Sequence, residues 1–366
     1  MSSLIQPAWL PLFADTSGSS GFDLRRFRLL RRHGEQLLFL PDKQSLLLGS
    51  LPLYQPQTKK ARFFLSAIRL CLGTGLAQVL PRIDAPIGRE STLAKFMTKL
   101  GGSGTLPDFA VLAGNPRAEG RRFVFLAFDA QGRETFVVKA AFEPAGCSLI
   151  EHESRFLQAH DGRVPHIPQL LGATGQSPVA ALALPFQPGT SPKADDTGIA
   201  GNVLGAWFSG EEQMGIASFP QWRRFVASGG SFPQELRPKL ESVRVKPVIF
   251  HGDFAPWNLR VDSNNRLMAL DWERGEDQGI PGWDWFHYVV QTSILMRREK
   301  VCETYRRIVR LLQTPEFIAY SRHGGFETRG LLLFAGYLGY AAHYGRTEGR
   351  QALVELRDYT YAQKLF

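Results

Sequence analysis

Two aspartates and an asparagine lie close together in the sequence and carry the side chains that phosphoryl transfer requires. Asp253 precedes Asn258 by five residues in the run HGDFAPWN, and Asp271 follows thirteen residues later in the run DWE. In such a reaction one carboxylate must orient the attacking hydroxyl and accept its proton, while a carboxylate and an amide oxygen hold Mg²⁺ against the nucleotide phosphates. Asp253 fits the first role, and Asn258 with Asp271 fits the second.

These motifs resemble those of the aminoglycoside phosphotransferase and choline kinase family, which has a protein kinase-like fold. HGDFAPWN is similar to the HxDxxxxN catalytic loop of that family, and DWE is similar to its metal-binding motif. The resemblance implies that Asp253 is the catalytic base and that His251 braces the loop through hydrogen bonds. Asp284, in GIPGWDWF, resembles a later aspartate that also supports the loop. The resemblance covers residues 108 to about 345 and leaves out the first hundred residues.

A lysine and a glutamate upstream extend the resemblance. Lys139 ends the run VVK in a predicted strand and is similar to the lysine that contacts the α- and β-phosphates of ATP. Glu153 is expected to pair with it from the following helix, because Leu157 stands four residues later, as in the family. Glu151 lacks that spacing and is kept as the fallback. Lys139 and Glu153 are therefore candidates for the nucleotide site.

Two further segments are candidates for contacts with ATP. A loop that covers the phosphates is expected between the first two strands of this region, where Gly114 and Gly120 bound the run GNPRAEG. The run is not a true GxGxxG motif, but its backbone amides, helped by an arginine that follows, could cradle phosphates. The adenine is expected at the strand exit that contains Leu184 and Phe186. The sequence does not select the residue that binds it.

The strands and helices that the sequence predicts around these residues indicate an α+β protein with a two-lobed, protein kinase-like fold. Short β-forming runs predict three consecutive antiparallel strands after Asp108, then a helix over 148–160 and two more strands. We assign residues 106–188 to this N-lobe, a small antiparallel sheet with one helix. Residues 189–366 are assigned to a mainly helical C-lobe, in which the short strands VIF, NLRV and LMALD hold the catalytic loop.

Residues 1–105 carry no catalytic motif and are interpreted as a basic N-terminal extension or accessory region. Residues 1–100 contain 14 of the 43 Lys and Arg residues but only 6 of the 34 Asp and Glu residues. This charge favours contact with something anionic, such as a membrane or glycolipid surface, a nucleic acid or an acidic partner, and a solvated basic face is the alternative. The segment from Lys59 to Leu80 has helical spacing and could either lie on a membrane or pack on the neighbouring domain.

Composition excludes several other classes of protein. Hydrophobic residues make up 44% and charged residues 21% of the 366 residues, which is typical of globular domains. The three cysteines, Cys71, Cys147 and Cys302, have no CxxC spacing, so neither a disulfide framework nor a zinc site is indicated. No secretory leader, membrane span or nucleic-acid-binding motif is recognisable. We expect a cytoplasmic protein that could attach peripherally to a membrane.

The sequence as a whole predicts an ATP- and Mg²⁺-dependent phosphotransferase that moves the γ-phosphate of ATP to a hydroxyl of a small molecule. A sugar, a glycan precursor or an amino alcohol is the expected acceptor, and an aminoglycoside antibiotic is the alternative. An aminoglycoside would need a strongly acidic site, whereas the candidate acidic residues are scattered among basic ones. These are Asp195, Asp196, Glu211, Glu212, Glu276 and Asp277. A catalytically silent, nucleotide-binding pseudokinase or regulatory scaffold also stays open, although Asp253, Asn258 and Asp271 are all retained.

Overall fold

The chain folds into two compact units in the computed structural model. The structure describes residues 6–14, 21–56, 59–116, 118, 120–193, 197–345 and 349–363. Unit 1 comprises Met1–Asp161 and Pro168–Pro188, and unit 2 comprises Gly162–Ile167 and Gly189–Phe366. Along the chain, the division between the units falls between Pro188 and Gly189, and the assignment of residues 106–188 and 189–366 to two lobes stays a prediction.

Unit 1 is built on one antiparallel sheet, which has eight strands in the part of the chain that the structure describes. The strands are β1 (Phe22–Arg32), β2 (Glu35–Pro41), β3 (Arg82–Gly88), β4 (Asp108–Leu112), β5 (Phe123–Phe128), β6 (Glu134–Ala141), β7 (Gly172–Gln176) and β8 (Val179–Pro185). They lie in the order β3-β1-β2-β4-β5-β6-β8-β7. The last five are the strands that the sequence predicted. Because β2 pairs with β4, the first 105 residues and the predicted N-lobe share one sheet, and the predicted boundary at residue 105 falls inside unit 1.

Four helices accompany this sheet in the described part of unit 1. They are α1 (Gln44–Leu47), α2 (Lys59–Gly73), α3 (Thr92–Gly101) and α4 (Pro144–His160). Short 3₁₀ helices occur at Leu10–Phe13, Leu51–Leu53 and Leu76–Val79. The predicted helical segment from Lys59 to Leu80 thus consists of α2 and a 3₁₀ turn. The helix predicted over 148–160 is the main part of α4, which begins at a proline, a residue that suits the first turn of a helix.

The main core of unit 1 joins the start of the chain to the predicted N-lobe. Trp9 is fully buried, and its ring lies edge-on to Phe27, Phe39, Phe109 and Phe125 at centroid distances of 5.3–6.1 Å. Edge-to-face packing of this kind adds to the stabilisation that comes from burying the rings. Two of the four phenylalanines belong to β4 and β5, so the N-terminal residues complete the core on which the predicted N-lobe depends.

Unit 2 is mainly helical, as predicted. Its helices are α5 (Thr197–Gly205), α6 (Pro220–Ala227), α7 (Arg237–Glu241), α8 (Trp283–Gln291), α9 (Val301–Leu311), α10 (Pro315–Gly324), α11 (Gly330–Tyr344) and α12 (Arg350–Tyr361). Short 3₁₀ helices lie at Ile216–Ser218 and Pro256–Asn258, and α8 continues into a π-helical turn at Thr292–Arg297. Within the described ranges, no helix of either unit is both long enough and apolar enough to cross a membrane.

Short strands in unit 2 hold the predicted catalytic loop. They are β9 (Met214–Gly215), β10 (Arg244–Val245), β11 (Val248–Phe250), β12 (Leu259–Val261), β13 (Leu267–Ala269) and β14 (Glu276–Gly279). They form the antiparallel pairs β9–β10, β11–β14 and β12–β13. The predicted runs VIF, NLRV and LMALD contain β11, β12 and β13. Unit 1 is thus an antiparallel sheet in which one strand carries Lys139, and one of its helices carries Glu153. Unit 2 is mainly helical and carries the predicted catalytic loop. This architecture confirms the predicted α+β, protein kinase-like fold.

Candidate active site

Strand β6 and helix α4 bring Lys139 and Glu153 together, as predicted. The Lys139 Nζ atom lies 2.7 Å from Oε1 and 2.9 Å from Oε2 of Glu153. The Glu153 side chain is fully buried, and the Lys139 side chain is 12% exposed. Buried carboxylates normally need a charged or hydrogen-bonding partner, so this pair fixes the position of the lysine ammonium group. Glu151 lies exposed on the same helix, and Glu153 is therefore the partner of the lysine.

Both predicted glycines of the β4–β5 loop have left-handed backbone conformations. The angle φ is +66° at Gly114 and +71° at Gly120. A Cβ atom at Gly114 would lie 2.2 Å from the carbonyl oxygen of Arg122, and one at Gly120 would lie 2.7 Å from a leucine side chain of α4. Contacts within unit 1 thus explain why glycine occupies both positions. Their contact with phosphates stays a prediction. Arg117 and Glu119 of the same run lie outside the described residues.

The strand exit that was predicted to meet the adenine lies at the end of β8. Leu184 is buried and pairs with Val137 of β6. The backbone N–H of Phe186 donates to the carbonyl oxygen of Thr135 at 3.0 Å, so this N–H is already used. The Phe186 side chain packs against an apolar cluster that includes Leu126. An adenine ring at this edge would therefore need to bind other backbone groups, and the adenine contact stays a prediction.

In unit 2, the loop after β11 is braced by the side chain of His251. The Asp253 backbone N–H donates to the His251 Nδ1 atom at 3.3 Å, and the Nε2 atom lies 2.9 Å from the carbonyl oxygen of Leu270. A carbonyl oxygen only accepts hydrogen bonds, so Nε2 carries the proton and the ring is neutral. Burial lowers the pKa of His251 to about 4, which agrees with a neutral ring at pH 7. These contacts match the predicted bracing role.

Asp284, in the first turn of α8, accepts hydrogen bonds from the backbone of the same loop. Its Oδ2 atom lies 2.7 Å from the backbone nitrogen of His251, and its Oδ1 atom lies 3.1 Å from that of Gly252. The residue is 4% exposed, and burial raises the pKa of its carboxyl to about 7. The predicted supporting role of Asp284 therefore matches a direct contact with the loop backbone.

Helix α8 supplies a further residue that the sequence interpretation missed. His287 lies one helical turn after Asp284, so both side chains can face the loop. Its Nε2 atom is 3.0 Å from Oδ1 of Asp253, and its Nδ1 atom is 3.1 Å from the hydroxyl of Tyr337 on α11. Burial raises the pKa of Tyr337 well above its usual value, so the phenol keeps its proton. A search of the helix face around Asp284 would have identified His287.

The Asp253 carboxylate is held at both oxygens and remains partly accessible. Oδ1 contacts His287, and Oδ2 accepts a hydrogen bond from the Nδ2 atom of Asn258 at 3.2 Å. Burial acts to raise the pKa of Asp253, but the hydrogen bond from His287 and the positive charge of Arg274 outweigh it, and the pKa lies below its usual value. The side chain is 28% exposed. Asp253 is therefore an oriented, ionised carboxylate that a small molecule can reach.

Backbone contacts bring Asn258 and Asp271 to neighbouring positions. The backbone N–H of Leu270 donates to the carbonyl oxygen of Asn258 at 2.7 Å, and Asp271 follows directly. The Asn258 Nδ2 atom donates to the carbonyl oxygen of Asp253 at 2.9 Å, so its amide oxygen is the atom that can bind a cation. Asp271 has a φ of +71°, a strained conformation for an aspartate that is frequent at functional sites.

These two residues fit a magnesium ion that is bound together with a nucleotide. An amide oxygen and a carboxylate are hard donors of the kind that Mg²⁺ prefers, and Mg²⁺ usually takes few protein ligands and completes its shell with phosphates and water. The described residues contain no group of three or more His, Cys, Asp and Glu side chains that could hold a metal ion.

Trp272, which directly follows Asp271, is a packing residue. It is fully buried, and its ring lies 4.5 Å from the ring of His251 and 4.9 Å from that of Trp207, centroid to centroid. Its Nε1 atom donates to the carbonyl oxygen of Ala269 at 2.9 Å. Trp257, in the catalytic loop, is partly buried. The tryptophan at 272 therefore limits how far the bracing histidine can move.

The architecture of the two units is that of a protein kinase-like fold. Among solved structures, the aminoglycoside phosphotransferase APH(4)-Ia matches with a TM-score of 0.47 and 16% identity, over 75% of this chain and 99% of that one. A putative fructosamine-3-kinase from Haemophilus somnus 129PT matches with a TM-score of 0.43 and 13% identity, over 73% and 96% of the two chains. No protein-family model and no curated protein matches the sequence. The function proposed below therefore depends on the chain's own residues.

Proposed function

We propose that this chain is an ATP- and Mg²⁺-dependent phosphotransferase that transfers the γ-phosphate of ATP to a hydroxyl group of a small molecule. The supporting observation is the environment of Asp253, an ionised and accessible carboxylate held by His287 and Asn258. A carboxylate in this state can orient a hydroxyl and accept its proton. The neighbouring oxygen donors of Asn258 and Asp271 supply what a magnesium-bound nucleotide needs.

Each candidate residue of the two units has a proposed role. Lys139, fixed by Glu153, binds the α- and β-phosphates of ATP. Asn258 and Asp271 hold Mg²⁺, which neutralises phosphate charge when it is bound. Asp253 orients the acceptor hydroxyl, whose oxygen forms a bond to the γ-phosphorus while the bond from that phosphorus to the bridging oxygen of ADP breaks.

The proton of the acceptor hydroxyl passes to Asp253 in this scheme. Because the pKa of Asp253 lies below its usual value, the carboxylate is a weak base, and the transfer must accompany formation of the bond to phosphorus. His287 and Asn258 hold the carboxylate throughout. Most of the rate enhancement would then come from positioning and from charge neutralisation.

The proposed acceptor is a sugar, a glycan precursor or an amino alcohol. Glu211 is ion-paired with Lys246, and Glu276 is ion-paired with Arg224. These pairs reduce the negative charge that unit 2 could offer to a polycationic antibiotic, because opposite charges offset each other's field. Two other acidic candidates lie outside the described residues, Asp195 and Asp196.

A screen of hydroxylated metabolites for acceptor-stimulated ADP release tests the proposal. The wild type and the Asp253→Asn variant are compared with and without Mg²⁺, and Glu212→Gln, an exposed acidic position of the same unit, is the matched control. We expect release that requires both an acceptor and Mg²⁺, that persists in the control and that is lost in Asp253→Asn. Nucleotide binding without release by the wild type would favour the silent pseudokinase instead.

A further inference from the structure

Helix α2 has two apolar faces on opposite sides of the helix, and only one of them is buried. Leu72 is buried and Leu65 and Ile68 are partly buried, and all three pack against a leucine cluster of β1 and β2. Phe63 and Leu70 are 78% and 68% exposed. They lie seven residues apart, which is two helical turns, so they share the outer face of the helix. Large apolar side chains at that exposure cost free energy in water unless another phase or molecule covers them.

Cations flank this exposed stripe without carboxylates nearby in the sequence. Lys60, Arg62 and Arg69 are exposed. From residue 43 to residue 83 the chain has six Lys or Arg residues and no Asp or Glu. On a helical projection, Lys60 lies on one side of the stripe and the two arginines lie on the other.

We propose that α2 docks in the plane of an anionic lipid bilayer. Phe63 and Leu70 would enter the boundary between headgroups and acyl chains, and Lys60, Arg62 and Arg69 would contact the lipid phosphates. An interfacial helix combines these two features, an apolar stripe and flanking cations that extend toward the headgroups. Charge complementarity selects an anionic surface, and the exposed apolar stripe selects a bilayer over a nucleic acid, which α2 would bind through its cations alone. This proposal does not depend on the proposed phosphotransferase activity.

Vesicle co-sedimentation of the full chain tests this docking. The vesicles contain either phosphatidylcholine alone or an equal mixture of phosphatidylcholine and phosphatidylglycerol. We expect binding to the mixed vesicles, weaker binding at high salt and little binding to phosphatidylcholine. The double variant F63S/L70S should bind the mixed vesicles about tenfold more weakly or worse, because both contributions to interfacial binding are needed. The triple variant K60Q/R62Q/R69Q should lose the salt dependence.

The matched control is the double variant F22S/L24S on strand β1. Phe22 and Leu24 have the same side chains and comparable exposure, 62% and 65%, but Asp23 lies between them and their strand pairs with the one that carries Asp84. We expect this control to bind vesicles like the wild type, and circular dichroism spectra should show that all the variants are folded. Equal losses in F22S/L24S and F63S/L70S would overturn the assignment to α2.

Two other occupants of the α2 surface are distinguished by the same variants. If the wild type fails to bind mixed vesicles but binds RNA equally well with or without F63S/L70S, the surface is a nucleic-acid site and the proposal is wrong. If the wild type is a dimer that F63S/L70S converts to a monomer, and vesicles are not bound, the stripe is covered by a second copy and the proposal is also wrong.

Discussion

The Nε2 atom of His287 lies 3.0 Å from Oδ1 of Asp253, and the other nitrogen of the same ring lies 3.1 Å from the Tyr337 hydroxyl. An ionised carboxylate only accepts hydrogen bonds, so Nε2 must donate. The carboxylate of Asp253 thereby fixes which ring nitrogen of His287 faces it as a donor, and the buried Tyr337 hydroxyl holds the opposite nitrogen. A tyrosine and a histidine together set the direction of the proposed catalytic carboxylate.

Replacing His287 should slow the proposed reaction more than it weakens nucleotide binding. A hydrogen bond to a charged group contributes about 1.5–3 kcal/mol, so His287→Ala should lower kcat about tenfold to a hundredfold. Tyr337→Phe removes only the distal hydroxyl and should have a smaller effect. Steady-state kinetics with separate kcat and KM values for ATP check this, and a His287→Ala enzyme with wild-type kcat would exclude the positioning role.

The pairing of Lys139 with Glu153 should be needed for use of ATP. Glu153→Gln leaves the ammonium group without its buried counter-charge, and we expect a higher KM for ATP, a lower kcat and reduced stability. Glu151→Gln, an exposed glutamate two residues away on α4, is the control and should behave like the wild type. Nucleotide titrations of both variants provide the check. Equal effects of the two substitutions would argue against a specific role for Glu153.

His251 should make the free energy of unfolding pH-dependent. Its pKa is about 4 in the folded chain against 6.5 for an unperturbed histidine, so between these values the unfolded chain binds a proton that the folded chain does not. The stabilisation is complete above pH 6.5 and falls as the pH drops toward 4, by about 3 kcal/mol. The raised pKa of Asp284 has the opposite effect, because its contribution to the free energy of unfolding increases as the pH falls. The two effects occur over overlapping pH ranges.

Urea unfolding of the wild type and of His251→Gln isolates the histidine, because both proteins keep Asp284. The glutamine amide can still donate to Leu270 and accept from Asp253, but it does not titrate. We expect the wild type to lose more stability than the variant between pH 6.5 and pH 4. A stability difference that stays constant over this range would refute the assignment of a buried neutral ring.

Trp9 should be essential for the stability of unit 1, although it stands outside the region that resembles kinases. Removing a fully buried tryptophan from an aromatic core leaves a large cavity, and Trp9→Ala should lower the free energy of unfolding by about 3–5 kcal/mol. Phe22→Ala, at a position that is 62% exposed, should change it by less than about 0.5 kcal/mol. Urea denaturation monitored by circular dichroism measures both. A Trp9→Ala protein as stable as the control would show that the N-terminal residues are dispensable.

The sequence predicted the strands of the N-lobe because short alternating runs are local signals. It did not predict β1–β3, and the reasons are physical. In β1, arginines share the strand with the leucines, and a bulge between Leu30 and Arg31 breaks the alternation. Strand β1 also pairs with β3, more than fifty residues away, and such a non-local partner leaves no mark on either segment alone.

The difference between local signals and non-local contacts also explains which residues of the candidate site were predicted. Asp253, Asn258 and Asp271 were found because their spacing along the chain carries the chemistry. His287 was missed because it meets Asp253 only through the packing of α8, 34 residues further along the chain. The helical spacing from Asp284 was the available signal, and it identifies a shared helix face without identifying the partner.

The most direct test of the proposed function compares acceptor-stimulated ADP release by the wild type and by Asp253→Asn, with nucleotide affinity measured in parallel. The substitution keeps the shape of the side chain and removes its charge. If Asp253 orients and deprotonates the acceptor, the rate should fall about 10²–10⁴-fold while Mg²⁺-dependent ATP binding stays within a few-fold of the wild type. An Asp253→Asn protein that releases ADP at the wild-type rate would contradict the proposed mechanism.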